Sequence, residues 1–261
     1  MSEPSEVSPE RLVKSGERVR ELGEVFTPLR TVQDMLDMLP TETWNVHPQV
    51  TFLEPACGDG NFLVAILARK LDRLLMQVQL GTLPAGTGAE AIMFHALAAI
   101  ASIFAVDISD DNIVGGTPGH ETGARARLLS VLMSWFESGP VELSAEQHSK
   151  LLSSAAWIVE HNLIVGNMLP TTVDGNSSGR DDIPLISYEF TPGTLKASLA
   201  QTTMGHVLSV QREESRGIVS LFDMNEPVHV WTGPASSLGD ANRVVAPELR
   251  GPARNGRRRS E

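Results

Sequence analysis

Apolar residues along this chain fall into two patterns, and their alternation sets the fold class. Short apolar-rich segments over Val50 to Leu53, Ile103 to Ile108 and Ile158 to Val165 predict short buried strands. Other segments repeat at helical spacing. Leu29 to Leu39 puts Val32, Met35, Leu36 and Leu39 on one face, and helices are predicted over Phe62 to Leu71, Ala89 to Ala101, about Glu121 to Phe136, and Ser144 to about Trp157. Arg11 to Leu22 reads as a charged helix. Helices alternating with buried strands predict an α/β domain with a parallel sheet. Two helices between the first and second strands mean that one is inserted. Beyond Pro170 the pattern weakens: a Gly/Ser/Asp turn region from Asp174 to Asp182, a strand over Pro184 to Phe190, weak alternation from Leu195 to Val210, and a short strand over Gly217 to Phe222.

The strand ends carry the candidate chemistry. The first run closes on Glu54-Pro55-Ala56-Cys57-Gly58-Asp59-Gly60-Asn61, after which helical spacing resumes. Glycines suit a turn where backbone must approach a ligand and adopt dihedrals that a Cβ forbids, with the following helix N-terminus facing that ligand. The second run ends at Asp107, an acid placed to accept hydrogen bonds from ribose hydroxyls; it arrives later than the roughly 20 residues of a simple dinucleotide unit, as an inserted helix requires. The third run ends at Gly166-Asn167, where Asn is either a ligand contact or an ordinary turn former. Thr27 before Pro28 is placed as a helix N-cap with Pro at the first helical position. Arg125 and Arg127 read as solvated charges, and Cys57 as a small residue fitting a crowded turn.

The string Phe52 to Leu63, FLEPACGDGNFL, resembles motif I of S-adenosylmethionine-dependent methyltransferases, specifically the DNA adenine-N6 type of restriction-modification enzymes. Phe26-Thr27-Pro28 resembles motif X of that family, Phe104 to Ser109 (FAVDIS) motif II, and Gly166-Asn167 motif III, in the family's order. The resemblance covers about residues 18–190. It implies an α/β, Rossmann-like class I methyltransferase fold with inserted helices and an incomplete sheet. It also implies S-adenosylmethionine as cofactor, held by Phe26, Thr27, Glu54, Ala56, Gly58, Gly60, Asn61, Asp107, Ile108 and Asn167. Glu54 then lies near the cofactor's ammonium, Thr27 near its carboxylate, Asp107 at the ribose and Asn167 at the adenine.

The family's motif IV, an Asp/Asn-Pro-Pro-Tyr/Phe segment that holds the target amino group and stacks on the extruded base, has no counterpart here. The closest string is Asn225-Glu226-Pro227-Val228, with His229 and Trp231 nearby, so Asn225 and Pro227 are only a weak catalytic candidate. Three readings follow: a methyltransferase acting on double-stranded DNA; the cofactor-binding half of a split enzyme whose motif IV and target recognition come from a second chain; or a non-catalytic remnant or decoy that binds the cofactor or a partner methyltransferase.

Composition narrows this further. A formal net charge of -11 over 261 residues argues against a protein that coats DNA by neutralising phosphates, so any DNA binding by the chain alone is expected to be weak. Cys57 is the only cysteine, which excludes an intrachain disulfide and fits the cytoplasm. No apolar h-region follows Met1, so no secretory leader is expected, and the longest apolar run, Ala91 to Val106, is shorter than the roughly 18 to 20 residues of a membrane span. No membrane role or metal site is expected. The expected organisation is a disordered segment over 1–10, an α/β domain over 11–232, and a flexible basic tail over 233–261 that carries Arg257, Arg258 and Arg259.

Overall fold

Three short strands, β1 (Phe52–Glu54), β2 (Ile103–Asp107) and β3 (Leu163–Val165), form a parallel sheet in the order β1-β2-β3. The register pairs Phe52 with Ile103, Glu54 with Ala105, and Asp107 with Val165. The computed structural model describes residues 16, 19, 20, 25–47, 49–116, 122–173, 176–215 and 227–243. Seven helices of the described residues are α1 (Leu29–Asp37), α2 (Asn61–Leu80), α3 (Ala89–Ala101), α4 (Asp110–Ile113), α5 (Ala124–Glu137), α6 (Ala145–Asn162) and α7 (Met204–Ser215). Parallel strands need crossovers. Here α2 and α3 join β1 to β2, and α4, α5 and α6 join β2 to β3, as the inserted helix foreshadowed.

A second part is antiparallel. The hairpin β4 (Pro170–Val173) and β5 (Asn176–Gly179) precedes a three-stranded sheet of β6 (Pro184–Thr191), β7 (Lys196–Thr203) and β8 (Val228–Pro234). Its aromatics tie it to the helical layer: Phe190 packs edge-on to Phe94 of α3, and Tyr188 edge-on to Trp157 of α6. The chain is thus a mixed α/β protein with a parallel three-stranded core sheet, compatible with a Rossmann-like arrangement.

Helix α3 is the centre of the core. Every residue from Ala91 to Ala101 is buried, which a helix apolar all round requires. Asn162 locks the junctions around it. This buried amide donates to the carbonyls of Ala101 (3.0 Å) and Ile103 (3.1 Å) and accepts from the Tyr188 hydroxyl (2.8 Å). All three of its bonds are made inside the core, where an unmade one is costly. Burial pushes the Tyr188 phenol well above its ordinary range, so it stays a neutral donor.

Four expectations are corrected. Helix α6, opened by a capping box between Ser144 and Gln147, continues through Asn162, so the strand expected from Ile158 is only Leu163–Val165. A short apolar run does not itself distinguish a buried strand from the end of a buried helix. Pro28, rather than Thr27, occupies the cap position of α1, and no side chain caps that helix. The weak alternation over Leu195 to Val210 divides into β7 and α7. The tail expected from residue 233 is instead part of the fold through Arg243: the 3-10 segment Ala235–Arg243 packs on α6 and α3 and buries Ala235, Leu238 and Ala241 at three-residue spacing. Gly239 lies so close to Ser153 that a Cβ has no room. The expected disordered segment over 1–10, most of the helix over Arg11 to Leu22, the strand over Gly217 to Phe222 and the terminal arginines lie outside the described residues.

Candidate functional site

Ligands of open α/β sheets sit outside the carboxyl ends of the strands, and a cavity of about 820 Å³ opens there. Residues from all three parallel strand ends and from the segment before α1 line it. They include Phe26, Thr27, Glu54, Ala56, Gly58, Asn61, Asp107, Ile108 and Asn167, nine of the ten residues singled out as cofactor contacts. Gly60 does not line the cleft. It opens α2 with φ +96° and faces α5, where a Cβ would stand 3.0 Å from the Cβ of Ala124.

The turn after β1 is built by tethers to its neighbours. Gly58 has φ +56°, and a Cβ there would meet the Phe26 ring at 3.0 Å, so the ring lies directly against bare backbone. The Gly58 N–H donates to Asp107 Oδ2 (2.8 Å), and the Cys57 N–H donates to the Val106 carbonyl (3.2 Å). Asp107 is buried, and its other oxygen accepts from the Ser109 N–H (2.8 Å) and the Asn112 amide (3.0 Å). A carboxylate offers about four lone-pair sites. Three donors therefore leave Asp107 room for one more. The acid read as a ribose ligand is equally the strut joining the glycine turn to β2.

Electrostatics give the cleft a negative lining. Burial pushes the Glu54 carboxyl above its ordinary range, opposed by a donation from the Ala56 N–H (3.4 Å). A cation beside it would favour the ionised form. Burial, with Asp107 and Glu54 adding repulsion, drives the Cys57 thiol far up, so it stays protonated and is no nucleophile. Arg180 also lines the cleft, with its guanidinium paired to Asp181 (2.8 Å).

Arg125 and Arg127 are not solvated charges. Arg125 donates to the carbonyls of Leu163 (2.7 Å) and Glu160 (2.9 Å), clamping α5 to the end of α6, where unpaired helix carbonyls welcome a cation. Arg127 reaches the glycine turn, donating to the Asp59 carbonyl (2.8 Å) and Asn61 Oδ1 (2.9 Å) and pairing with the Asp59 carboxylate (2.9 Å). A signal for Arg125 was present: it precedes the buried Leu128 by three residues, on the core stripe continued by Leu132 and Phe136. No local signal marks Arg180, Met168 or Leu208, which reach the cleft from separate elements.

Asn167 lines the cleft while accepting from the Leu169 N–H (2.9 Å), so its carbonyl end serves its own turn. The weak catalytic candidate falls only in part on the described residues. Pro227 is exposed at the start of β8 and is not among the cleft residues, and Asn225 lies outside the described residues. His229 and Trp231 belong to β8. Among the described residues no helix is long and apolar enough to cross a membrane. Comparison of the chain with protein-family models, curated proteins and solved structures gives no match.

Proposed function

We propose that this chain is an S-adenosylmethionine-binding, DNA methyltransferase-like protein of the adenine-N6 kind, with the cofactor held in the cleft at the strand ends. The observation that carries the reading is convergence: Phe26-Thr27, the glycine turn, Asp107-Ile108 and Asn167, four segments distant in sequence, line one cavity. The donor set suits the ligand. Glu54 and Asp107 face a cleft fit for a molecule bearing a sulfonium and an ammonium, whereas a polyphosphate would meet them unfavourably. Gly58 offers bare backbone where a side chain would fill the cradle. Glu54 would hold the ammonium, Thr27 the carboxylate end and Asp107 the ribose, with Ile108 and Asn167 beside the adenine. Bound there, the cofactor supplies a methyl group activated on sulfur. The chain's own part is binding, orientation and, through the Phe26 ring against the turn, exclusion of water.

The split-enzyme reading has its own support. Among the described residues no strand pairs with the second edge of β1, although β1 carries the glycine turn. Ligand crevices of such sheets lie where strand order reverses, with strands on both sides. A second chain supplying that side would bring the base-holding group.

A radiolabelled-methyl transfer assay on unmethylated double-stranded DNA tests catalysis directly. The isolated chain is expected to transfer slowly or not at all. Extruding a base costs a few kcal/mol, a stacking platform returns about 1 to 3 kcal/mol, and no such platform is recognisable in the sequence. The net charge of -11 adds little phosphate attraction. Robust turnover would contradict the cofactor-half reading and direct attention to Asn225 and Pro227, through Asn225→Ala.

A further inference from the structure

Arg127 sits outside every motif that the sequence resembles, yet its guanidinium binds the glycine turn and, through Asn61, is linked to the Phe26-Thr27 segment. From α5 it donates to the Asp59 carbonyl at 2.8 Å, pairs with the Asp59 carboxylate at 2.9 Å and donates to Asn61 Oδ1 at 2.9 Å. The opposite end of the Asn61 amide donates to the Thr27 carbonyl at 3.0 Å. The chemistry of this relay requires a side chain in its middle that both accepts and donates, as the Asn61 amide does. Arginine only donates and a backbone carbonyl only accepts, so the link between them must accept on one side and donate on the other. Residues 25–28 belong to no helix or strand. The Phe26 ring against Gly58 and the Asn61 amide on the Thr27 carbonyl both hold this stretch to the turn.

We infer that Arg127 and Asn61 are positioning residues: they hold Phe26 and Thr27 against the glycine turn so that the cleft accepts the amino-acid arm of its ligand. The inference rests on the cofactor reading above. It goes beyond that reading by placing the control of this end of the cleft on α5. The Arg127 and Asp59 side chains are 25% and 30% exposed, so solvent screens part of their attraction and the ion pair by itself adds little to stability. The relay therefore acts on geometry more than on folding.

Asn61→Asp separates the two roles. It keeps, and strengthens, the attraction to Arg127 but removes the donor to Thr27, so a purely structural charge cluster would tolerate it. The full chain and the variants Asn61→Asp, Arg127→Gln and Arg127→Lys are titrated calorimetrically with S-adenosylmethionine and with 5′-methylthioadenosine, which keeps the adenine and ribose but lacks the amino-acid arm. The expected result is S-adenosylmethionine binding weakened about tenfold or more in Asn61→Asp and Arg127→Gln, with methylthioadenosine binding changed by less than about twofold. Thermal midpoints should stay within about 4 °C. Unchanged S-adenosylmethionine affinity in the folded variants, or equal losses for both ligands, would overturn the relay. Should Arg127→Gln not fold, Asn61→Asp decides the matter alone. Failure of the unaltered chain to bind either ligand would instead overturn the reading of the cleft.

Discussion

Replacing Asp107 by Ala is expected to destabilise the folded chain by about 3 to 5 kcal/mol and to weaken ligand binding about tenfold or more. The carboxylate is buried and serves three donors: the backbone N–H groups of Gly58 and Ser109 and the amide of Asn112. Each buried donor left without an acceptor costs about 1 to 3 kcal/mol, with water recovering part of the loss. The variant also unties the glycine turn from β2, so the cleft loses its shape together with the proposed ligand contact. Asp107→Asn is the graded control. It retains one good acceptor and turns a donor toward N–H groups, for an expected cost of about 1.5 to 3 kcal/mol. Urea denaturation of the three proteins measures the stability order. Equal stability of Asp107→Asn and the unaltered chain would contradict the strut role.

The second large effect is a pH dependence. Lys70 is 2% exposed; its ammonium donates to Gln49 Oε1 (2.8 Å) and the Val50 carbonyl (2.9 Å) and lies 5.2 Å from the Phe52 ring centre. These partners fix the segment entering β1, but none carries a formal negative charge, and burial lowers the lysine to about 8. Below pH 8 the folded and unfolded chains both bind the proton, and the fold carries the full cost of a buried charge. Between pH 8 and the ordinary lysine value of 10.5 the unfolded chain binds more protons, so stability rises with pH. The window of about 2.5 units corresponds to roughly 3 kcal/mol. The stability difference between the unaltered chain and Lys70→Met should therefore stay flat below pH 7 and shift by about 3 kcal/mol in favour of Lys70 by pH 10.5. A difference constant across that range would show that burial does not perturb the lysine.

The parts of this molecule legible in its sequence are those specified locally. Gly58 and Gly60 announced the turn, and the acid closing β2 and the fully apolar run of α3 needed no distant information. Lys70 carried a readable signal too, seven residues after the buried Leu63 and next to Leu71, on the stripe that faces the core. The end of α6 was obscured because Ile158 and Val159 suit a buried helix as well as a strand. The place of Ala235–Arg243 depends on the α6 surface it covers, including the bare backbone of Gly239 against Ser153, and composition alone made it look like a tail. Arg127 was read as solvated because its partners lie 66 and 68 residues away, and a tertiary clamp leaves no periodic trace. The motif residues were found one by one; their meeting in a single cleft is a property of the parallel sheet that no one segment encodes.

Calorimetric titration of the purified chain with S-adenosylmethionine tests the central claim most directly, with Asp107→Asn run in parallel. Saturable one-to-one binding by the folded chain, weakened in the variant, is the expected result. No heat of binding up to millimolar ligand, from a chain whose circular dichroism shows it folded, would contradict the assignment of the cleft.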